Sequence, residues 1–294
     1  MAEQYTAPHA VFCLISDERV FQSQSPAIFN RVMTALGLPA TYVAFRVDPP
    51  YLSSIVASLK ALNISGANIS APYKEAIMPY VDAVSESANI IGAVNTIAVS
   101  EGRAKGYNTN AIGIMDALED AEFEPAGKIA LILGAGGAAK AAAFVLRWLK
   151  IDEIFIAGRN GAKARALADR IEGEALGLTP SELSSHAPHI IVNATTISST
   201  RESPELSKMA GSLDTSNCEL VYDLNYGRRS NIWQALAKNR SIPFVDGLDT
   251  LVHQARNSLA LWTGLDIGPA RFRNALAGWR PQSPSAADQK GAKP

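Results

Sequence analysis

The chain is poor in several features that mark whole protein classes. Among 294 residues there are only two cysteines, Cys13 and Cys218. They lie far apart, with no CxxC pair and no metal-ligand spacing, which argues against a disulfide framework or a cysteine metal site. They read as reduced structural thiols. The four histidines, His9, His186, His189 and His253, make no metal pattern either. His253 reads as a residue on a helix surface. No apolar run reaches the roughly 18 residues of a membrane span. The start Met1-Ala2-Glu3-Gln4-Tyr5 lacks the basic flank and apolar core of a signal peptide. Charge is also scarce: 19% of residues are charged and the formal net charge is -1. That gives no electrostatic case for nucleic acid or an anionic membrane as partner. The expectation is a cytoplasmic protein, monomeric or homodimeric, that binds a small molecule and no metal.

Apolar residues, by contrast, make up 47% of the chain. At roughly 100–200 residues per domain, the length predicts two domains. Ala10 to Ile15 reads as a buried strand. Ser25 as N-cap and Pro26 as first helical residue open a helix that runs to about Leu36 and stops at Gly37. Thr41 to Arg46 is a second strand, Tyr51 to Leu62 a helix, and Ile64 to Ser70 holds a third strand. Strands alternating with helices predict a mostly parallel sheet covered on both faces. Ala111 to Ala121 reads as a connecting helix. Further strands follow at Lys128–Leu133, Glu153–Ala157, His189–Asn193 and Glu219–Asp223, with a closing helix at Val252–Trp262. The fold class is α/β, with four parts: an α/β substrate-binding unit over 1–111, a doubly wound Rossmann unit over 112–246, C-terminal helices over 247–280 that return to the first unit, and a disordered tail over 281–294.

The sharpest motif follows the apolar strand Lys128–Leu133. It is Gly134-Ala135-Gly136-Gly137-Ala138-Ala139-Lys140, and it leads into an alanine-rich helix. Gly134 allows the tight turn, Gly136 lets backbone approach a pyrophosphate, and Ala139 permits close helix–sheet packing. Amides at the helix start then face an anion. The next strand ends in Ala157-Gly158-Arg159-Asn160, with Lys163 close behind and no carboxylate at the strand end. An acidic residue there would hold a ribose 2'-hydroxyl; an arginine attracts a 2'-phosphate instead. The cofactor expected is NADP.

Six blocks in order give the chain a family resemblance. They are Ser23-Gln24-Ser25-Pro26, Asn68-Ile69-Ser70-Ala71-Pro72-Tyr73-Lys74, Gly92-Ala93-Val94-Asn95-Thr96, Gly106-Tyr107-Asn108-Thr109-Asn110, the glycine turn, and Asp246-Gly247-Leu248 with Gln254. Over about residues 8–280 the chain resembles the shikimate/quinate dehydrogenases. The resemblance implies a cleft between a substrate domain and a Rossmann domain. It implies that Ser23 and Ser25 hold a substrate carboxylate with Tyr226 nearby, and that Ser70, Asn95 and Gln254 line the ring. Lys74 would be the catalytic acid/base. Gly134, Ala135, Gly136, Gly137 and Ala138 would bind the cofactor, with Arg159, Asn160, Lys163, Thr195 and Gly247. The substrate implied is a cyclic hydroxy acid, shikimate or quinate or a relative.

The chain departs from that family chiefly at Asn110, where an aspartate usually pairs with the lysine. A carboxylate beside a lysine favours the ammonium form, and an amide removes that Coulomb effect. Lys74 with Asn110 as neutral partner is therefore the expected catalytic pair. Two other readings stay open: an NADP-binding paralogue with altered substrate or a sensing role, and a Rossmann oxidoreductase for some other small hydroxy or amino compound.

Overall fold

The apolar run from Ala10 builds the first strand, and its burial explains why it sits centrally in a sheet. The computed structural model describes residues 9–228 and 230–277; the tail expected over 281–294 lies outside the described residues. The first sheet is drawn from β1 (Ala10–Ser16), α1 (Ser25–Ala35), β2 (Ala40–Arg46), α2 (Ile55–Ala61), β3 (Gly66–Ile69), β4 (Ala83–Val84), α3 (Glu86–Ile91), β5 (Thr96–Ser100) and β6 (Arg103–Tyr107). Its strand order is β2-β1-β3-β5-β6-β4. The β1 pairings to β2 and β3 are parallel, but β5 pairs antiparallel to both β3 and β6. The sheet is thus mixed where a mostly parallel one is expected. A two-residue hairpin makes the difference: Glu101 and Gly102 both take positive φ, at 51° and 72°, as a tight right-twisting hairpin requires.

Helix α4 (Thr109–Asp120) leads to the second sheet, built from β7 (Ile129–Leu133), α5 (Gly137–Trp148), β8 (Glu153–Ala157), α6 (Gly161–Arg170), β9 (Glu174–Leu176), α7 (Pro180–Leu183), β10 (Ile190–Asn193), α8 (Pro204–Gly211), β11 (Leu220–Asp223), α9 (Ile232–Arg240) and β12 (Phe244–Asp246). The order is β12-β11-β10-β7-β8-β9, and every pairing is parallel. This is the doubly wound arrangement. Its direction of winding reverses between β7 and β10, where such sheets open a crevice at the strand carboxyl ends.

The chain then returns. Helix α10 (Gly247–Thr263), capped by Asp246, starts five residues before the expected Val252, and α11 (Pro269–Ala275) follows. Leu251, Val252, Ala255 and Leu259 of α10 bury themselves in one cluster with Phe12 and Leu14 of β1 and Phe29 of α1. Trp262 stacks on Phe12 at 4.6 Å and donates from its indole N–H to the Ile97 carbonyl at 3.0 Å. Full burial of a leucine, valine or phenylalanine side chain in this cluster contributes about 1.5–3 kcal/mol. Helix α10 also crosses α4 at Gly113, where a Cβ would stand 2.8 Å from the Thr250 carbonyl oxygen. Only glycine admits that approach. Among the described residues, no helix is long and apolar enough to cross a membrane.

Three local expectations change. Helix α1 begins at Ser25 itself, with Gln24 before it and no side-chain cap there. The Ser25 amide N–H donates to the Ser23 hydroxyl at 3.2 Å, so the capping oxygen sits two residues earlier than expected. The segment expected as a helix over Tyr51–Leu62 splits: Pro49–Ser54 is a 3-10 turn and α2 starts at Ile55. His253 is buried at 3% exposure, not on a helix surface. Its ring is clamped between α10 and α4, with Nε2 2.8 Å from Asp120 and Nδ1 3.4 Å from Asp116.

Burial alone would depress the His253 pKa, but the two carboxylates more than reverse this and raise it above 6.5. A group whose folded pKa is raised stabilises the fold fully below its unfolded pKa, and that contribution is lost as pH rises through the folded value. The stability difference between wild type and H253Q, from urea unfolding, should therefore be largest below pH 6.5 and shrink above it. A difference that grows with pH would contradict this account.

Candidate functional site

The β7–α5 turn faces two loops of the first unit, those carrying Lys74 and Ala93. Gly134 takes φ +117°, and a Cβ on it would strike the Ala194 carbonyl oxygen at 2.8 Å and the Thr195 nitrogen at 3.1 Å. The turn thus lies against the end of β10, at the switch point. A Cβ at Gly136 would meet nothing within 4 Å, so open space lies outside it. Helix α5 has no side-chain cap, whereas Asn160, Ser203 and Asn231 cap α6, α8 and α9. Uncapped first-turn amides over open space fit a pyrophosphate, whose oxygens would satisfy them. Gly158, at the end of β8, is 3.8 Å from the Ala135 methyl by the same construction, which brings exposed Arg159 to the rim of the turn. Asn160 accepts from the Lys163 amide N–H at 3.0 Å, leaving its own NH2 free of that bond. These residues fit a phosphorylated ribose.

Lys74 reaches the same place from the other side. It sits in the turn after β3, which Tyr73 pins by donating to the Val47 carbonyl at 2.6 Å. The Lys74 carbonyl accepts from the Val94 amide at 2.8 Å. A Cβ on Gly137 would lie 3.7 Å from both Cβ and Cδ of Lys74, and 3.6 Å from the Ala93 methyl. The Lys74 stem is partly covered, and its lost hydration pulls the pKa down from 10.5 to about 8. An amine with that pKa exchanges protons near neutrality. The neighbouring Glu75 carboxylate is engaged elsewhere, 2.7 Å from Lys140 of α5.

Asn95 and Asn110 join one buried polar network. The Thr109 backbone N–H donates to Asn95 Oδ1 at 2.7 Å. A backbone N–H can only donate, so the other Asn95 terminus is the NH2 group. That group donates to Asn110 at 2.7 Å, which makes the contacting Asn110 atom its oxygen. Asn110 therefore turns its own NH2 away from Asn95. Gln254 donates to Ser258 at 2.9 Å, and Ser258 meets Asn68, Thr96 and Thr109 at 3.0, 3.0 and 3.2 Å.

Ser23, Ser25 and Tyr226 form a third group. The Ser23 hydroxyl donates to Ser25 at 3.1 Å, and Tyr226 accepts from the Gln24 amide N–H at 3.4 Å and bonds Ser23. Two hydroxyls, a phenol and a helix start suit a carboxylate. Ser70 follows directly after β3, its amide bound to the Ile15 carbonyl at 2.9 Å. The glycine at 247 has a packing cause: a Cβ there would lie 2.5 Å from the Leu224 carbonyl oxygen.

Sequence reasoning passed over Thr96, Thr109 and Ser258. Ser258 lies four residues after Gln254, on the same helix face, which was a usable signal. It also passed over Asn225, which donates to the Thr195 carbonyl, and Asp223, which accepts from Asn225.

Comparison with known proteins agrees with this geometry. Residues 15–97 match the shikimate dehydrogenase substrate binding domain, and residues 117–239 match shikimate / quinate 5-dehydrogenase. A shikimate dehydrogenase (NADP(+)) of Moorella thermoacetica is 38% identical over 271 residues, covering 87% of this chain and 89% of its own length. Shikimate 5-dehydrogenase of Thermus thermophilus, solved in complex with NADP(H) and shikimate, superposes with a TM-score of 0.79 at 30% identity, over 90% of this chain and 98% of that one. The ligand-free 5-ketofructose reductase of Gluconobacter sp. strain CHM43 gives 0.77 at 28% identity, over 92% and 98%. With both halves of the chain matched by the family's two domain models, the chain belongs to the shikimate dehydrogenase family.

Proposed function

We propose that this protein is an NADP-dependent oxidoreductase that interconverts 3-dehydroshikimate and shikimate, or a related cyclic hydroxy acid such as quinate. One observation carries the reading: Lys74 stands next to the glycine turn, so close that a Cβ on Gly137 would lie 3.7 Å from its Cβ and Cδ. A proton-transfer group is thereby set beside a dinucleotide cradle. In this reading the substrate-binding part ends at residue 111 and the Rossmann part at 246. The enzyme works in the cytoplasm as a monomer or homodimer.

Bound NADP supplies the hydride acceptor or donor. Backbone amides from Gly134 to Ala138 hold its pyrophosphate, Arg159, Asn160 and Lys163 hold the 2'-phosphate, and Thr195 and Gly247 complete that wall. Ser23, Ser25 and Tyr226 hold the substrate carboxylate; Ser70, Asn95 and Gln254 line the ring. Lys74 takes the hydroxyl proton at Nζ during oxidation and returns it during reduction. Asn110 gives that transfer a direction. Its outward NH2 donates to the hydroxyl oxygen, so the hydroxyl proton is left to point at Lys74. A carboxylate at 110 would instead accept that proton's hydrogen bond and hold Lys74 as ammonium.

A second reading, an NADP-binding paralogue with altered substrate or a sensing role, is favoured by Asn110 itself. NADPH absorbance with 3-dehydroshikimate, 3-dehydroquinate and 5-ketofructose separates the two. Turnover of 3-dehydroshikimate is expected. NADPH binding with no turnover of any cyclic keto acid would favour the second reading.

Arg159 and Asn110 give sharper outcomes. R159Q should weaken NADP binding about tenfold to a hundredfold, since a hydrogen bond to a charged group contributes about 1.5–3 kcal/mol. NAD binding should not change; equal loss for both cofactors would remove the 2'-phosphate role. For N110D, the pH–rate profile should show an apparent lysine pKa above the wild-type value of about 8. An unmoved pKa would rule out the Coulomb argument.

A further inference from the structure

Asp223 ends β11 with its side chain wholly buried. Its partners face it as donors: the Ser198 hydroxyl, whose oxygen also accepts from Asn193 and Asn225, and three asparagines. Its Oδ1 accepts from Asn193 Nδ2 at 2.8 Å, and from the backbone N–H and Nδ2 of Asn225, both at 3.1 Å. Its Oδ2 accepts from Asn231 Nδ2 at 2.6 Å. An ionised carboxylate is an acceptor only, so it satisfies this ring of donors completely.

Two of the asparagines converge on Thr195, and the third holds the start of α9. Asn193 turns its oxygen to Thr195, accepting from the backbone N–H at 3.2 Å and the hydroxyl at 2.7 Å. Asn225 donates also to the Thr195 carbonyl at 2.8 Å, and its own carbonyl accepts from the Gly247 amide at 3.0 Å. The residue after it is Tyr226, which meets Gln24 and Ser23. Asn231 caps α9 through the Trp233 and Gln234 amides, at 2.8 and 3.1 Å. One buried carboxylate thus ties the loop carrying Thr195 to the loop carrying Tyr226.

We infer that Asp223 is a positioning residue that holds the cofactor wall at Thr195 and the substrate wall at Tyr226 in fixed relation, through the amides of Asn193 and Asn225, while Asn231 anchors the carboxylate itself to the start of α9. The inference rests on the functional reading above for the roles of Thr195 and Tyr226. Asp223 is too deeply buried to touch either ligand, and acts only through these neighbours.

The donor ring supplies a test by polarity. In D223N the oxygen stays at the Oδ1 position, which faces three donors, and the new NH2 faces Asn231 Nδ2. Two donors then oppose each other where 2.6 Å now separates donor from acceptor. Adding N231D restores one acceptor there, conserves net charge, and keeps the α9 cap, because aspartate caps a helix as well as asparagine does. NADPH affinity is read by fluorescence titration, the shikimate KM and kcat by steady-state assay, and folding by thermal unfolding. D223N should bind NADPH about tenfold more weakly and raise the shikimate KM by a similar factor, the size expected for one lost hydrogen bond to a charged group. Saturated kcat should change less. D223N/N231D should recover both values to within about twofold, as a directly coupled pair should.

A folded D223N with wild-type affinity and KM overturns the inference. So does a folded double variant that stays as weak as D223N. If D223N alone does not fold, the double variant decides: wild-type NADPH affinity supports the inference, and a tenfold loss overturns it. The NADPH titration needs no substrate. A wild-type protein that binds NADPH but ignores shikimate would therefore sink the functional reading while leaving Asp223 tested.

Discussion

The site depends on one steric condition: nothing fills the space between the start of α5 and the Lys74 turn. Gly137 supplies it. A methyl there would already touch the Lys74 stem and the Ala93 methyl, and a larger side chain would push the two sheets' ligand edges apart. The same closeness withdraws water from Lys74, which lowers its pKa toward the range where it exchanges protons. Packing and acid–base chemistry here have a single cause. The Lys140–Glu75 pair spans the same gap and keeps the carboxylate next in sequence occupied with another cation. A partly exposed pair of this kind adds little stability; its value lies in where it holds Glu75.

The return of α10 serves the same end from a distance. Its apolar face is buried against β1 and α1, while Gln254 and Ser258 on another face enter the polar network. Gly113 lets α10 come close enough to α4 for this, and His253 with Asp116 and Asp120 holds the crossing. Residues on the two sides of the network are hydrogen-bonded across long stretches of chain, so the last helix is part of the site's wall as well as of the core.

That separation also decides what could be read in the sequence. The glycine turn was legible because all its parts are local: an apolar strand, three glycines and a helix within about twenty residues. The four central strands of the second sheet, β7, β8, β10 and β11, were legible because they are buried and read as apolar runs, whereas the short edge strands β9 and β12 are only partly buried and carry no such run. Strand β6 was not, because its inward residues are Ala104 and Gly106, which leave no hydrophobic alternation; a Cβ at Gly106 would lie 2.7 Å from Val94. His253 looked like a surface residue because its carboxylate partners on α4 lie more than 130 residues away. Ser258 meets Thr96 across 162 residues, a pairing no local pattern encodes. Lys74, Ser23 and Asn95 stood out only because six spaced blocks could be matched together, since each alone passes as a solvated lysine, a cap or a turn residue.

Both walls of the proposed site use the same device to set polarity. Asn95 has its oxygen fixed by the Thr109 backbone N–H, and Asn193 has its oxygen fixed by the Thr195 backbone N–H. In each case the backbone leaves the amide no choice of orientation, and the NH2 is sent to a second residue: to Asn110 on one wall and to Asp223 on the other. The two recipients then differ. Asp223 is buried and absorbs the donors with both oxygens, ending its network inside the protein. Asn110 has one oxygen to receive its donor, so its NH2 is turned away from Asn95. A carboxylate there would have received the donor equally well and still shown an acceptor. The single change from carboxylate to amide therefore leaves the internal network intact and inverts the hydrogen-bonding character of the outward face, which is the face beside Lys74 in the proposed reaction.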